Sequence, residues 1–174
     1  QVPLRVTLSK ASENYTNRYR ELTNTMEEFT LNNETEFVKI KLTKVFGFPE
    51  ETCHWGGYDS QAQIEIKSGP FSCSSSFYIS TGEIFQFCQK LQTCYSDLEG
   101  ELSLKSYEHN LKLNLVFDKL GHININGEFT DNNLENNSLS FEFDTDQSFL
   151  KSSIQDIENI VNKYGGMQGI KNSL

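Results

Sequence analysis

The stretch Glu99–Asp146, EGELSLKSYEHNLKLNLVFDKLGHININGEFTDNNLENNSLSFEFDTD, decides how the chain folds. Four segments in it alternate apolar and polar residues. Their apolar positions are Leu102 and Leu104; Leu111, Leu113, Leu115 and Phe117; Ile123, Ile125 and Phe129; and Leu139, Phe141 and Phe143. Successive side chains on a strand point to opposite faces, so this period of two gives each segment one oily and one wet face. The links are short and polar. Glu108–Asn110 and Asp118–Gly121 suit hairpin turns, and Asp131–Asn137 a longer loop. The stretch reads as a four-stranded antiparallel meander with one face toward a core and one toward water.

Upstream the same logic continues. Glu27–Leu31 and Glu36–Phe46 flank Asn32-Asn33-Glu34-Thr35, a turn-forming group, and predict a hairpin. Gln61–Lys67 alternates through Ala62, Ile64 and Ile66. Ser68-Gly69-Pro70 turns the chain into a further strand over Phe71–Ile79. Ser80-Thr81-Gly82-Glu83 then has the form of a capping box. Ile84, Phe87, Cys88, Leu91, Tyr95 and Leu98 follow at spacings of three and four, the stripe of an amphipathic helix. A second helix is predicted from Asp146, with Leu150, Ser153, Ile154, Ile157, Ile160, Val161 and Tyr164 on one face and Gly165-Gly166 as its stop. The expected fold is α+β: an antiparallel sheet of about seven strands, with the two amphipathic helices packed on one face.

Length and charge bound the function. One domain with a real core fits 174 residues, and no apolar run approaches the ~20 residues needed to cross a bilayer. Formal charge is −9 and pI about 4.8. That argues against direct binding to nucleic acid or to an anionic membrane, and favours either plain solubility or a basic protein partner. Residues 1–25 differ: Arg5, Lys10, Arg18 and Arg20 outnumber Glu13 and Glu21. They are read as an N-terminal extension, native or appended, with one domain over 26–164 and a flexible tail over 165–174.

No residue pattern announces catalysis. Cys53, Cys73, Cys88 and Cys94 are expected as reduced thiols of a cytoplasmic protein, since a chain with this much core needs no disulfide framework. His54 adjoins Cys53, but no second Cys or His stands at zinc-ligand spacing, so neither metal nor cofactor is expected. Cys88 and Cys94 lie inside the helical pattern and lack an activating cation or helix N-terminus; Cys53 is the one candidate nucleophile, and no other residue supports it. An enzymatic alternative would use the wet sheet face, with His122 and Glu128 as acid and base. A third alternative is an adaptor domain. Trp55, in the loop CHWGGYD, is a possible aromatic anchor for a partner, against the plainer reading that it folds back onto the sheet.

Twelve acidic residues and four lysines lie between Glu99 and Glu158. Same-parity residues of adjacent strands share a face, so Glu101, Glu128, Glu142 and Asp144, with His122 and Asn124 among them, are expected to form one acidic partner-binding patch where the register brings them together, against the plainer reading of ordinary solubility charge.

The run YSDLEGELSLKSYEHNLKLNLVFDKLGHININGEFTD, with NSLSFEFDTDQSFL after it, resembles the WapI family of bacterial immunity proteins. So does the order around it: the stretch DSQAQIEIKSGPFS, then a helix led by Ser-Thr-Gly-Glu. Leu98, Gly100 and Glu101; Gly121, His122 and Ile123; Gly127 and Glu128; and Asp146, Gln147 and Leu150 carry the resemblance best, over roughly Met26–Tyr164. The chain departs from it at Ala62, where such families often have a Trp. The resemblance implies a non-enzymatic cytoplasmic protein that binds and neutralises the toxin domain of a contact-dependent or secreted polymorphic toxin. Such toxins are often nucleases, which are basic because their substrate is a polyanion.

Overall fold

The computed structural model describes residues 27–131 and 137–170. The proposed extension over 1–25 and the last four residues of the proposed tail lie outside them.

Eight strands and two helices follow one another as β1 (Glu28–Asn32), β2 (Phe37–Val45), β3 (Asp59–Ser68), β4 (Phe71–Ser80), α1 (Thr81–Asp97), β5 (Gly100–Lys105), β6 (Leu111–Phe117), β7 (His122–Thr130), β8 (Ser138–Asp146) and α2 (Gln147–Tyr164). The α+β class and the antiparallel pairing are as expected. The single sheet of about seven strands is not: the strands form two four-stranded meanders, β1-β2-β3-β4 and β5-β6-β7-β8, with α1 as the link between them. Width explains the division. A seven-strand sheet is roughly 30 Å across at about 4.8 Å per strand, and two helices about 10 Å thick cannot cover it. Split in two, the oily faces bury one another and the helices fill what remains.

The core is correspondingly shared. Ile40, Ile64 and Ile79 of the first sheet, Leu113, Leu115, Ile123 and Ile125 of the second, Ile84 and Leu91 of α1, and Leu150 and Ile157 of α2 belong to one buried cluster. Phe77 and Phe129 meet edge to face across the two sheets, with centroids 5.9 Å apart. The helices also shield sheet edges rather than lying on one face, α1 along β5 and α2 along β1.

Local signals explain the element ends. Ser80 Oγ accepts the Glu83 amide at 3.1 Å, and the Glu83 carboxylate accepts the Ser80 amide at 2.7 Å, closing the capping box of α1. Asp146 caps α2 by accepting the Ser148 amide, and Gly165 ends that helix. The β6–β7 turn is built by Asp118, whose Oδ1 accepts the amides of Leu120 and His122. Gly121 supplies its positive φ of 85°. After α2 the chain returns to the Trp55 loop, where Met167 O accepts the Gly57 amide and Tyr58 Oη accepts the Ile170 amide.

Candidate functional site

The outward face of the second sheet is a grid fixed by register. Val116, Asn124 and Asp144 stand side by side on β6, β7 and β8, and in the next row Asn114, Asn126 and Glu142. Beyond them come Lys112, Glu128 and Ser140. Glu101 lies across from Val116 on β5, and Lys105 across from Lys112. Six of the seven expected residues therefore share this face, and it divides them into groups.

The group around Asn124 is the most organised. Asn124 Nδ2 donates to Glu142 Oε1 and to Asp144 Oδ1, each at 2.9 Å. Asn126 Nδ2 donates to Asn124 Oδ1 at 2.9 Å, and Asn114 Nδ2 to Asn126 Oδ1 at 3.0 Å. Three amides thus form a directed chain across β6 and β7 that ends on two carboxylates of β8. Each amide that accepts is polarised to donate more strongly, so the relay holds two like charges on neighbouring rungs. Asn114 and Asn126 were not anticipated as part of the site. The repeated Ile-Asn-Ile-Asn of β7 was the visible signal, and its meaning depended on register.

His122 is exposed and opposite Asp146 at one end of β7. The Ser148 hydroxyl and amide hold the Asp146 carboxyl below its usual range, and the charge of His122 adds to this. A shallow cleft there, of about 360 Å³, is lined by Asn33, Glu34, His122, Asp144, Asp146 and Phe149. Glu128 lies at the other end, opposite Lys112. Six residues of one strand, about 20 Å, separate His122 from Glu128. The two cannot act on one substrate as acid and base, which removes the enzymatic alternative that paired them. Glu101 is three strand spacings, roughly 14 Å, from Asp144, with the half-exposed Val116 between them.

Trp55 stands apart from this grid. Its ring stacks on Tyr107 of the β5–β6 turn, with centroids 5.5 Å apart and planes 11° from parallel, yet it remains 50% exposed. Tyr107 is held in turn by donating to Asp59 Oδ1 at 2.7 Å. Trp55 is thus stacked on Tyr107, with the His54 ring against it at 5.3 Å and 75°, and half of its surface remains exposed. The four cysteines are free thiols, and burial raises the pKa of each, that of Cys88 to about 11. None, Cys53 included, is an activated thiolate. Among the described residues no group of three or more His, Cys, Asp or Glu is placed to hold a metal ion. Nor is any helix among them long and apolar enough to cross a membrane.

The chain belongs to the immunity protein WapI-like family, whose model matches residues 28–165. Comparison with curated proteins and with solved structures gave no match.

Proposed function

We propose that this protein binds and neutralises a cognate bacterial toxin domain, and that the toxin docks on the outward face of the second sheet. Membership of the immunity family supports the class of partner. The observation that carries the choice of surface is the pair Glu142 and Asp144, held on adjacent rungs by the single amide of Asn124. Carboxylates crowded on one face repel one another. A cationic partner relieves that repulsion, and the preorganised pair meets it at little entropic cost. The cleft beside His122, with Glu34, Asp144 and Asp146 at its walls, suits a lysine or arginine of the partner. Trp55, half exposed, offers a second contact of cation–π type.

The toxin is a basic nuclease. Its phosphate-binding surface is drawn to the acidic face, and covering that surface blocks its substrate. The inhibitor itself binds neither nucleic acid nor membrane, and it acts in the cytoplasm, where an incoming toxin reaches its target.

The test is co-expression with the toxin domain encoded beside this chain. Wild type restores growth, whereas E142K/D144K binds more slowly and protects poorly while keeping the wild-type circular dichroism and melting profile. Association of wild type slows as salt rises, since the Debye length shrinks from ~10 Å at 0.1 M to ~3 Å at 1 M. Full protection by a folded E142K/D144K would place the binding surface elsewhere.

A further inference from the structure

The two lysines on the outward face of the second sheet stand together. Lys105 and Lys112 are directly opposite one another on β5 and β6, and both are exposed. Like charges so placed repel. Among the described residues Lys39, Lys41, Lys119 and Lys163 make ion pairs, whereas Lys105 and Lys112 make none, although Glu128 is across from Lys112 on β7. With His109, Asn110 and Glu128 they line a cleft of about 330 Å³.

One wall of this cleft is held rigidly. Asn110 is 3% exposed and is pinned to the end of β7 twice: its Nδ2 donates to Thr130 O at 2.9 Å, and its own carbonyl accepts the Thr130 amide at 2.8 Å. The first bond fixes which end of the side-chain amide is the oxygen, since a carbonyl accepts only from a donor. Asn110 Oδ1 is buried and has no hydrogen-bond partner, the only such side-chain atom among the described residues. A buried acceptor left unmade costs stability. The cleft therefore lacks an anion for its lysines and a donor for its asparagine.

Resting on the docking face proposed above, we infer that this cleft receives an acidic side chain of the bound toxin domain. Its carboxylate sits between Lys105 and Lys112, and an N–H of the same segment meets Asn110 Oδ1. Charge selects this occupant. Two strand spacings, and two to four residues along the strands, separate Lys112 from Glu142 and Asp144, roughly 12–16 Å within the sheet. A nucleic acid or other polyanion at the lysines would meet Glu128 at once and Glu142 and Asp144 within that span, on a chain of net charge −9. A folded domain with one acid among its basic residues matches both sites in a single orientation. The acidic residues attract any basic domain, so they speed encounter more than they discriminate. The lysines discriminate, because a basic domain with no carboxylate at this place buries two unpaired cations on docking.

Binding kinetics with the toxin domain encoded beside this chain test this. K105E/K112E makes an acidic chain more acidic, so if charge acted only in bulk it would bind a basic toxin faster and more tightly. A carboxylate held between the lysines gives the opposite sign. K105E/K112E should then dissociate at least about tenfold faster than wild type, with K105Q/K112Q changed in the same direction. Both lysines are exposed, so each variant should keep the wild-type circular dichroism and melting profile. Reversing the toxin's Asp and Glu residues to Lys one at a time should yield one variant that wild type releases quickly and K105E/K112E holds. Lysine variants that bind as tightly as wild type overturn the proposal, and so does a toxin series in which no reversal restores K105E/K112E. Inorganic phosphate that binds wild type and not K105E/K112E, with toxin affinity equal for both, marks a small-anion site and also overturns it. A wild type that does not bind the toxin domain at all is a different outcome: it overturns the proposed function, and the lysine site falls with it.

Discussion

At the scale of single residues, the close contacts are the ones a substitution exposes. Gly127 is the clearest. A Cβ there would lie 2.5 Å from the Lys112 carbonyl and 2.6 Å from the Phe141 ring. G127A therefore has to displace backbone on one side and a buried ring on the other, and is expected to lower the melting temperature sharply. F141A, from a site only 5% exposed, should cost on the order of 3–5 kcal/mol by denaturant titration. Cys88 permits a chemical check. With its pKa raised to about 11 by burial, it should resist alkylation at pH 8 in the folded protein and react once the chain is unfolded.

At the scale of elements, the helix caps and the amide relay carry the testable energetics. Ser80 is fully buried and makes the capping box of α1, so S80A should destabilise the protein by about 1 kcal/mol, more if the Glu83 amide finds no water. Burial raises the pKa of the Glu83 carboxyl despite the amide it accepts. The folded state then holds that proton more tightly than the unfolded one. The linkage has a definite sign: stability falls as pH rises from the ordinary carboxylate range through the raised folded value. E83Q keeps an acceptor for the Ser80 amide and removes the titration. Over that window wild type should lose stability relative to E83Q, as urea midpoints at several pH values would show. In the outer grid, N124D would replace the bridging donor by a third carboxylate. Its loss of stability should be recovered by added salt, unlike that of a packing mutant.

For the whole molecule, the single buried cluster linking both sheets and both helices makes independent unfolding of either meander costly. Urea unfolding should therefore be one transition, with Trp55 fluorescence and far-ultraviolet circular dichroism coincident. Two separated transitions would show that the sheets are separate folding units.

Much of this was determined by the sequence alone. Period-two alternation marked the strands of the second sheet, and the 3.6-residue stripe with Ser80 and Glu83 marked α1. The same alternation placed Glu101, His122, Asn124, Glu128, Glu142 and Asp144 on one outward face, because parity decides which side of a strand a residue occupies. Parity does not say what covers the buried side. The hydrophobic effect is non-directional, so the oily face of a meander is equally consistent with helices or with a second sheet above it. Only packing decided that the strands divide four and four, and that two helices and two hairpin tips shield three of the sheet edges among the described residues. Register across strands decided the rest. It joined Asn114 and Asn126 to Asn124, and Asn124 to Glu142 and Asp144. It also set Glu128 beside Lys112 and left Glu101 three strands away from Asp144, distances that no residue pattern within one strand encodes.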